Sequence, residues 1–152
     1  MNSNSQPVWP TPEQADLLRS TMVRLIPACE EVSTNFYDRL FAMHPSLRPL
    51  FPEDMEMQKE KLIMMLASSI DLVGDPEGFE KACEELGARH IKYGAEAAHY
   101  PIVATLALEE LGRASNPPFT AAESEAWNLL FDLIGTAMLN GAARTESAPP
   151  QA

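Results

Sequence analysis

The chain has 152 residues, 45% hydrophobic and 22% charged, with a net charge of −11, which describes one globular domain large enough for a real core. So acidic a chain is poorly matched to nucleic acid or an anionic membrane surface. Its two cysteines, Cys29 and Cys83, are far apart and form no CxxC pair, which excludes a thioredoxin-type or zinc-ribbon site and fits free thiols in a reducing compartment.

The start of the chain lacks the basic and apolar regions of a secretory signal, and no apolar run reaches membrane-spanning length, so a cytoplasmic protein without membrane insertion is expected. Residues 1–10 and 145–152 are rich in Ser, Asn, Pro, Gln and Ala and read as flexible tails around a domain over 11–144. The first helix opens at Thr11-Pro12-Glu13-Gln14, a capping box with proline in the first turn. Leu18, Met22 and Leu25 form its apolar stripe, and Pro27 breaks it. A second helix carries Val32, Phe36 and Leu40, with Tyr37 and Phe41 on adjoining rows. It stops before Pro45, because the residue ahead of proline is pushed out of helical backbone.

A proline-rich stretch over 45–52 leads to a third helix over 54–73, with Leu62, Leu66 and Ile70 as its stripe and Gly74 as its end. Asp75-Pro76 starts a fourth helix, cap followed by proline. It carries Phe79, Cys83, Leu86 and His90 and stops at Gly94. His90 lies two turns beyond Cys83, which keeps it on or near the apolar face. A fifth helix starts over 98–101, includes Ile102, Leu106 and Leu111, and ends at Gly112. After the Asn116-Pro117-Pro118 loop, Thr120 and Glu123 form another capping box, and Trp127, Leu130, Phe131, Ile134 and Met138 give the last helix its 3.6-residue period. Six or seven helices with short connections make an all-α domain.

No phosphate loop, nucleophile motif or HExxH is present. Of three histidines, His44 precedes Pro45 at a helix end and His99 sits at a helix start, where capping explains both. His90 sits late in a helix on its apolar side. Locally it reads more readily as a satisfied core histidine than as an axial metal ligand facing an apolar slot.

Two separated stretches carry a resemblance. Phe36-Tyr37-Asp38-Arg39-Leu40-Phe41, His44-Pro45 and Leu47-Arg48-Pro49-Leu50-Phe51 resemble the second helix and following corner of bacterial haemoglobins. Arg89-His90-Ile91-Lys92-Tyr93-Gly94 and Ala98-His99-Tyr100-Pro101-Ile102-Val103 resemble their proximal region. The similarity runs over about 11–140 and is greatest to single-domain bacterial globins related to the haem domain of flavohaemoglobins. The resemblance implies a globin fold of six to eight helices around a haem b, iron protoporphyrin IX. It implies His90 as the proximal iron ligand, Phe51 stacked on the haem, and Tyr100, ten residues after His90, against that histidine.

On the distal side it implies Tyr37 and Gln58 as donors to a bound gas and Leu62 as the apolar residue over the iron. The corner over 52–57 varies in length among globins, so Met57 or Lys61 are alternatives in that register. Lys61 otherwise reads as a surface residue near a haem propionate, and a methionine as sixth ligand is a further alternative. Tyr37 as a core aromatic and Gln58 as an exposed helix residue are the plain readings of the same positions. A Tyr O–H and a Gln N–H are neutral donors suited to polarised O₂. Two such bonds, at about 0.5–1.5 kcal/mol each, slow release by roughly one to two powers of ten.

One family feature is missing. The glutamate that completes a proximal hydrogen-bonded triad would fall near Ala142, followed by Ala143 and Arg144, with Glu146 the nearest carboxylate. A weaker proximal push and little peroxidase-like chemistry follow. The expected function is reversible binding of O₂, NO or CO. The alternatives are nitric oxide dioxygenase activity with an external reductase, a haem-based gas sensor acting through a partner, and an interaction protein without haem. Monomer and homodimer are both compatible with the chain.

Overall fold

A computed structural model describes residues 8–147. The expected loose segments over 1–7 and 148–152 lie outside the described residues. Six α-helices make up the domain, with no strand among the described residues: α1 (Pro12–Leu25), α2 (Cys29–Met43), α3 (Glu56–Asp71), α4 (Pro76–Lys92), α5 (His99–Ala114) and α6 (Ala121–Ser147). The helix starts follow from their caps. Gln14 N donates to Thr11 Oγ1 at 3.1 Å while Thr11 N donates to Gln14 Oε1 at 3.0 Å. The same reciprocal pair joins Thr120 and Glu123 ahead of α6, and Asp75 Oδ1 accepts from Gly78 N at 3.2 Å ahead of α4. Each satisfies backbone N–H groups that have no partner inside the helix.

α1 breaks at Pro27 as expected, in a short 3-10 turn, Ile26–Ala28, and α2 follows at once. Other boundaries differ from expectation. α3 starts at Glu56 with Met55 as its N-cap residue, and the Asp54 carboxylate, outside the helix, accepts from Glu56 N at 3.0 Å. α5 passes Gly112 and ends at Ala114 before the proline loop. At the ends, Trp9 is no loose-tail residue, since its ring meets Phe79 edge-on at 5.3 Å. α6 continues through Ser147, beyond the expected end at Arg144.

α6 is the central strut. It packs on α4, α1 and α5, while α2 packs on α5 and α3, and α1 on α3. Leu18, Phe36, Leu66, Phe79, Leu111, Trp127 and Leu130 are sealed at the centre, and the Trp127 indole N–H donates to Thr21 Oγ1 at 2.8 Å. α2 and α5 are also tied by charge. Arg39 reaches Glu109 at 2.7 Å and the buried Glu110 at 2.9 Å, and Arg113 pairs with Glu110 at 3.1 Å.

Two glycines bring α4 and α6 into backbone contact. A Cβ on Gly87 would run into the backbone of Met138, and one on Gly141 into the backbone of Glu84. Nearby, Arg144 pairs with Glu84 at 2.6 Å. Because backbone atoms cannot rotate out of the way, Gly87→Ala should force the helices apart and destabilise the domain by about 2–4 kcal/mol. A thermal midpoint unchanged in Gly87→Ala by circular dichroism would contradict this packing. α3 and α4 have no extensive contact with one another and are held by different partners, α3 by α2 and α1 and α4 by α6.

Candidate functional site

α2 places Phe36, Tyr37 and Leu40 in the core and Phe41 at its margin. The Tyr37 ring is buried among aromatics: Phe36 at 4.8 Å, Phe51 at 5.6 Å and Phe41 at 5.9 Å between centroids. Phe51 comes from the corner between a 3-10 stretch, Pro45–Leu50, and α3, and also meets Phe41 at 5.3 Å. In the first turn of α3, Gln58 Nε2 donates to the Tyr37 hydroxyl oxygen at 3.2 Å. The phenol therefore accepts from an amide and keeps its own proton for another acceptor. Burial pushes the Tyr37 phenol up, with the Gln58 bond pulling the other way, so the group is a neutral donor at physiological pH.

Of the residues left open by the variable corner, Gln58 is the one that reaches Tyr37. Met57 is 69% exposed and Lys61 lies on the outer face of α3. Leu62, one turn after Gln58, is half-buried against the core.

On α4, His90 is half-buried and its Nδ1 lies 2.8 Å from the Leu86 carbonyl oxygen. A carbonyl only accepts, so Nδ1 carries the proton and Nε2 holds a lone pair. Burial holds the imidazole below its ordinary pKa, and the Arg89 charge acts in the same direction against the Leu86 bond. A neutral imidazole with its second nitrogen unprotonated is the form a metal takes as ligand, with the carbonyl bond fixing the tautomer. Among the described residues no group of three or more His, Cys, Asp or Glu side chains can hold a metal ion. A lone imidazole is enough where the metal's other ligands belong to a macrocycle.

The aromatic ring that meets His90 is Tyr93, edge-on at 5.7 Å. Tyr100 sits in the first turn of α5, half-buried, and burial pushes its phenol up. Ala142 lies within α6, and Arg144 beyond it turns to Glu84. The acceptor on His90 Nδ1 is thus a neutral carbonyl. The residues fit a haem: a neutral imidazole nitrogen on α4 that would hold the iron, a buried phenol on α2 bonded to a half-buried amide on α3, and half-buried apolar side chains from Phe51, Leu62, Leu86 and Ile102.

Two features escaped the sequence reading. Tyr93 is one helical turn after His90, a spacing that makes side chains neighbours. Arg48 donates to the carbonyls of Phe51, Pro52 and Glu53. Its signal was a lone arginine ahead of a proline-flanked segment whose carbonyls have no helical donors.

A globin family model matches residues 34–138. A flavohemoprotein of Bordetella pertussis is 28% identical over 131 residues, covering 82% of this chain and 33% of the relative. A flavohemoprotein of Bacillus subtilis is 27% identical over 127 residues, covering 77% and 31%. The chain thus spans about a third of the length of these curated relatives. Among solved structures, a bacterial globin from Campylobacter jejuni superposes with a TM-score of 0.79 at 20% identity, covering 91% of this chain and 100% of that one. An engineered carbene transferase from Rhodothermus marinus, described as a candidate nitric oxide dioxygenase, has a TM-score of 0.77 at 23% identity, covering 90% and 96%. At these identities the solved structures speak for the fold.

Proposed function

The chain belongs to the globin family, and on that footing we propose that it holds a b-type haem through His90 Nε2 and binds O₂ reversibly, with NO and CO as further ligands. The haem supplies an iron with an open position for a diatomic gas. The chain's residues supply the rest. His90 anchors the group, and the Leu86 carbonyl fixes the ring's tautomer and rotation. Phe51 and Leu62 form apolar walls that exclude water, and Lys61 stands at the exposed edge for a propionate. Tyr100 supports the proximal side.

The observation that carries the reading is the Gln58–Tyr37 bond at 3.2 Å, made to a phenol whose ring is buried among Phe36, Phe41 and Phe51. It leaves one phenol proton to donate to a polarised ligand in dry surroundings, where a fixed donor counts for more than in water. O₂ gains more from that donor than the less polar CO. A carbonyl on His90 Nδ1 pulls less on the ring than a carboxylate would, which favours holding a gas over cleaving an O–O bond.

A haem titration tests this. Purified protein given haem should develop a Soret band, and the ferrous form should show a single broad visible band and take up CO. No Soret band would end the reading. Sharp split visible bands in the ferrous protein would assign a sixth protein ligand instead.

The flavohemoprotein relatives favour a second reading at the same pocket, nitric oxide dioxygenase activity driven by a separate reductase. NADH-dependent NO consumption in air-equilibrated buffer, with such a reductase added, separates it from simple gas binding.

A further inference from the structure

We propose that Arg48 is a positioning residue for the Tyr37–Gln58 donor pair, clamping the corner from which both Phe51 and the start of α3 are hung. The inference rests on the reading of Tyr37, oriented by Gln58, as the donor to a bound gas. Five residues, 51–55, separate the 3-10 stretch from α3. Pro52 has no N–H, and the segment cannot satisfy its own carbonyls as a helix does.

The Arg48 guanidinium supplies the missing donors. Nη1 donates to Phe51 O at 3.3 Å and Pro52 O at 3.0 Å, and Nη2 donates to Glu53 O at 3.1 Å. The same group lies 5.1 Å from the centroid of the Phe41 ring, a cation–π distance. One planar side chain therefore touches the corner's backbone and the aromatic cluster around Tyr37 together, which a lysine cannot reproduce.

Two paths lead from this clamp to the donor pair. Phe41 and Phe51 both pack on Tyr37. Gln58 is the third residue of α3, and that helix has no side-chain cap from Met55, only the Asp54 bond to Glu56 N. Freeing the corner lets the first turn of α3 shift, and the 3.2 Å Gln58–Tyr37 bond shifts with it. The bonds and ring contact of Arg48 go to the corner and to Phe41, not to Tyr37, Gln58 or His90. Arg48 acts through the corner.

The test uses the full-length haem-loaded protein and three readouts: O₂ dissociation, the C–O stretching band of the CO complex, and hydrogen exchange of the peptide spanning 51–58. Arg48→Met, which keeps length and removes every donor, should speed O₂ release about tenfold. It should also split or broaden the C–O band and accelerate exchange over 51–58. Arg48→Lys should fall between. Arg39→Met, which breaks the α2–α5 ion pairs, is the control for lost stability alone and should leave the C–O band as in the parent.

In a Tyr37→Phe background Arg48→Met should add little to O₂ release, because the donor it positions is gone. An unchanged C–O band and O₂ release in Arg48→Met, with Tyr37→Phe still effective, would overturn the role of Arg48 and leave the function standing. That role is overturned equally if Arg48→Met speeds release by the same factor with and without the Tyr37 hydroxyl. If Tyr37→Phe and Gln58→Leu are themselves silent, the reading beneath the proposal fails. Should Arg48→Met not fold, Arg48→Lys carries the same comparisons.

Discussion

Replacing His90 with alanine should leave a folded, helical protein that no longer retains haem. Alanine is a better helix former than histidine, and His90 is half-buried rather than part of the sealed core, so α4 has no reason to melt. What disappears is Nε2, the nitrogen whose lone pair is set free by the Nδ1 bond to Leu86. Loss of a partner behind a metal ligand typically costs ten- to a hundredfold in affinity, so loss of the ligand itself should cost more than about a hundredfold. The Soret band of His90→Ala after gel filtration should be faint. Millimolar imidazole should restore it, because the free base presents the same nitrogen to the space the side chain left.

A full Soret band in His90→Ala, with no response to imidazole, would move the ligand elsewhere. His99 is a poor substitute, as its Nδ1 accepts from Glu96 N at 3.0 Å at the start of α5. His44 closes α2 as its C-terminal cap.

The parts of this molecule that were legible in the sequence are those governed by local rules. Thr11 with Gln14, Asp75 with Pro76, and Thr120 with Glu123 announce helix starts because capping needs only neighbours three residues apart, and all three caps form. Tyr37, Phe51 and Gln58 share a spacing that resembles a known family, and the structure brings those three side chains together. Features that depend on distant partners were hidden. Trp9 stands alone in a polar segment, and nothing local says that its ring will meet Phe79 across the fold.

Arg48 has no periodicity to betray it, since its partners are backbone carbonyls three to five residues on. The extension of α6 to Ser147 follows from the absence of glycine or proline over 142–147, a weaker signal than the composition that made the end look loose. Gly87 and Gly141 read as helix weaknesses by propensity. Only the approach of α4 to α6 shows that a Cβ has no room there.

The second large effect concerns Tyr37, and its pattern is more informative than its size. Tyr37→Phe keeps the ring that packs on Phe36, Phe41 and Phe51 and deletes only the hydroxyl. A hydrogen bond to an acceptor that carries charge lies above the range of a neutral pair, at about 1.5–3 kcal/mol, so for O₂ held with charge on its outer oxygen release should accelerate by roughly ten- to a hundredfold. CO release should change far less, since CO carries little charge for the hydroxyl to stabilise. Gln58→Leu should give a smaller acceleration, about three- to tenfold, because the phenol proton remains and only its orientation is lost. The amide donates to the phenol oxygen, so the geometry is a relay in which Gln58 acts through Tyr37.

A relay and two independent donors make different predictions for the double variant. Independent donors would give effects that multiply. A relay gives a Tyr37→Phe/Gln58→Leu protein that releases O₂ about as fast as Tyr37→Phe alone, because the residue Gln58 orients has already lost its proton. Stopped-flow O₂ displacement by CO on the four proteins decides between them. Multiplying effects would mean that the Gln58 amide turns to the gas directly and that the 3.2 Å bond is broken when the pocket fills. Silence in all three variants would remove both residues from the pocket's chemistry and leave His90 and the apolar walls to hold the gas unaided.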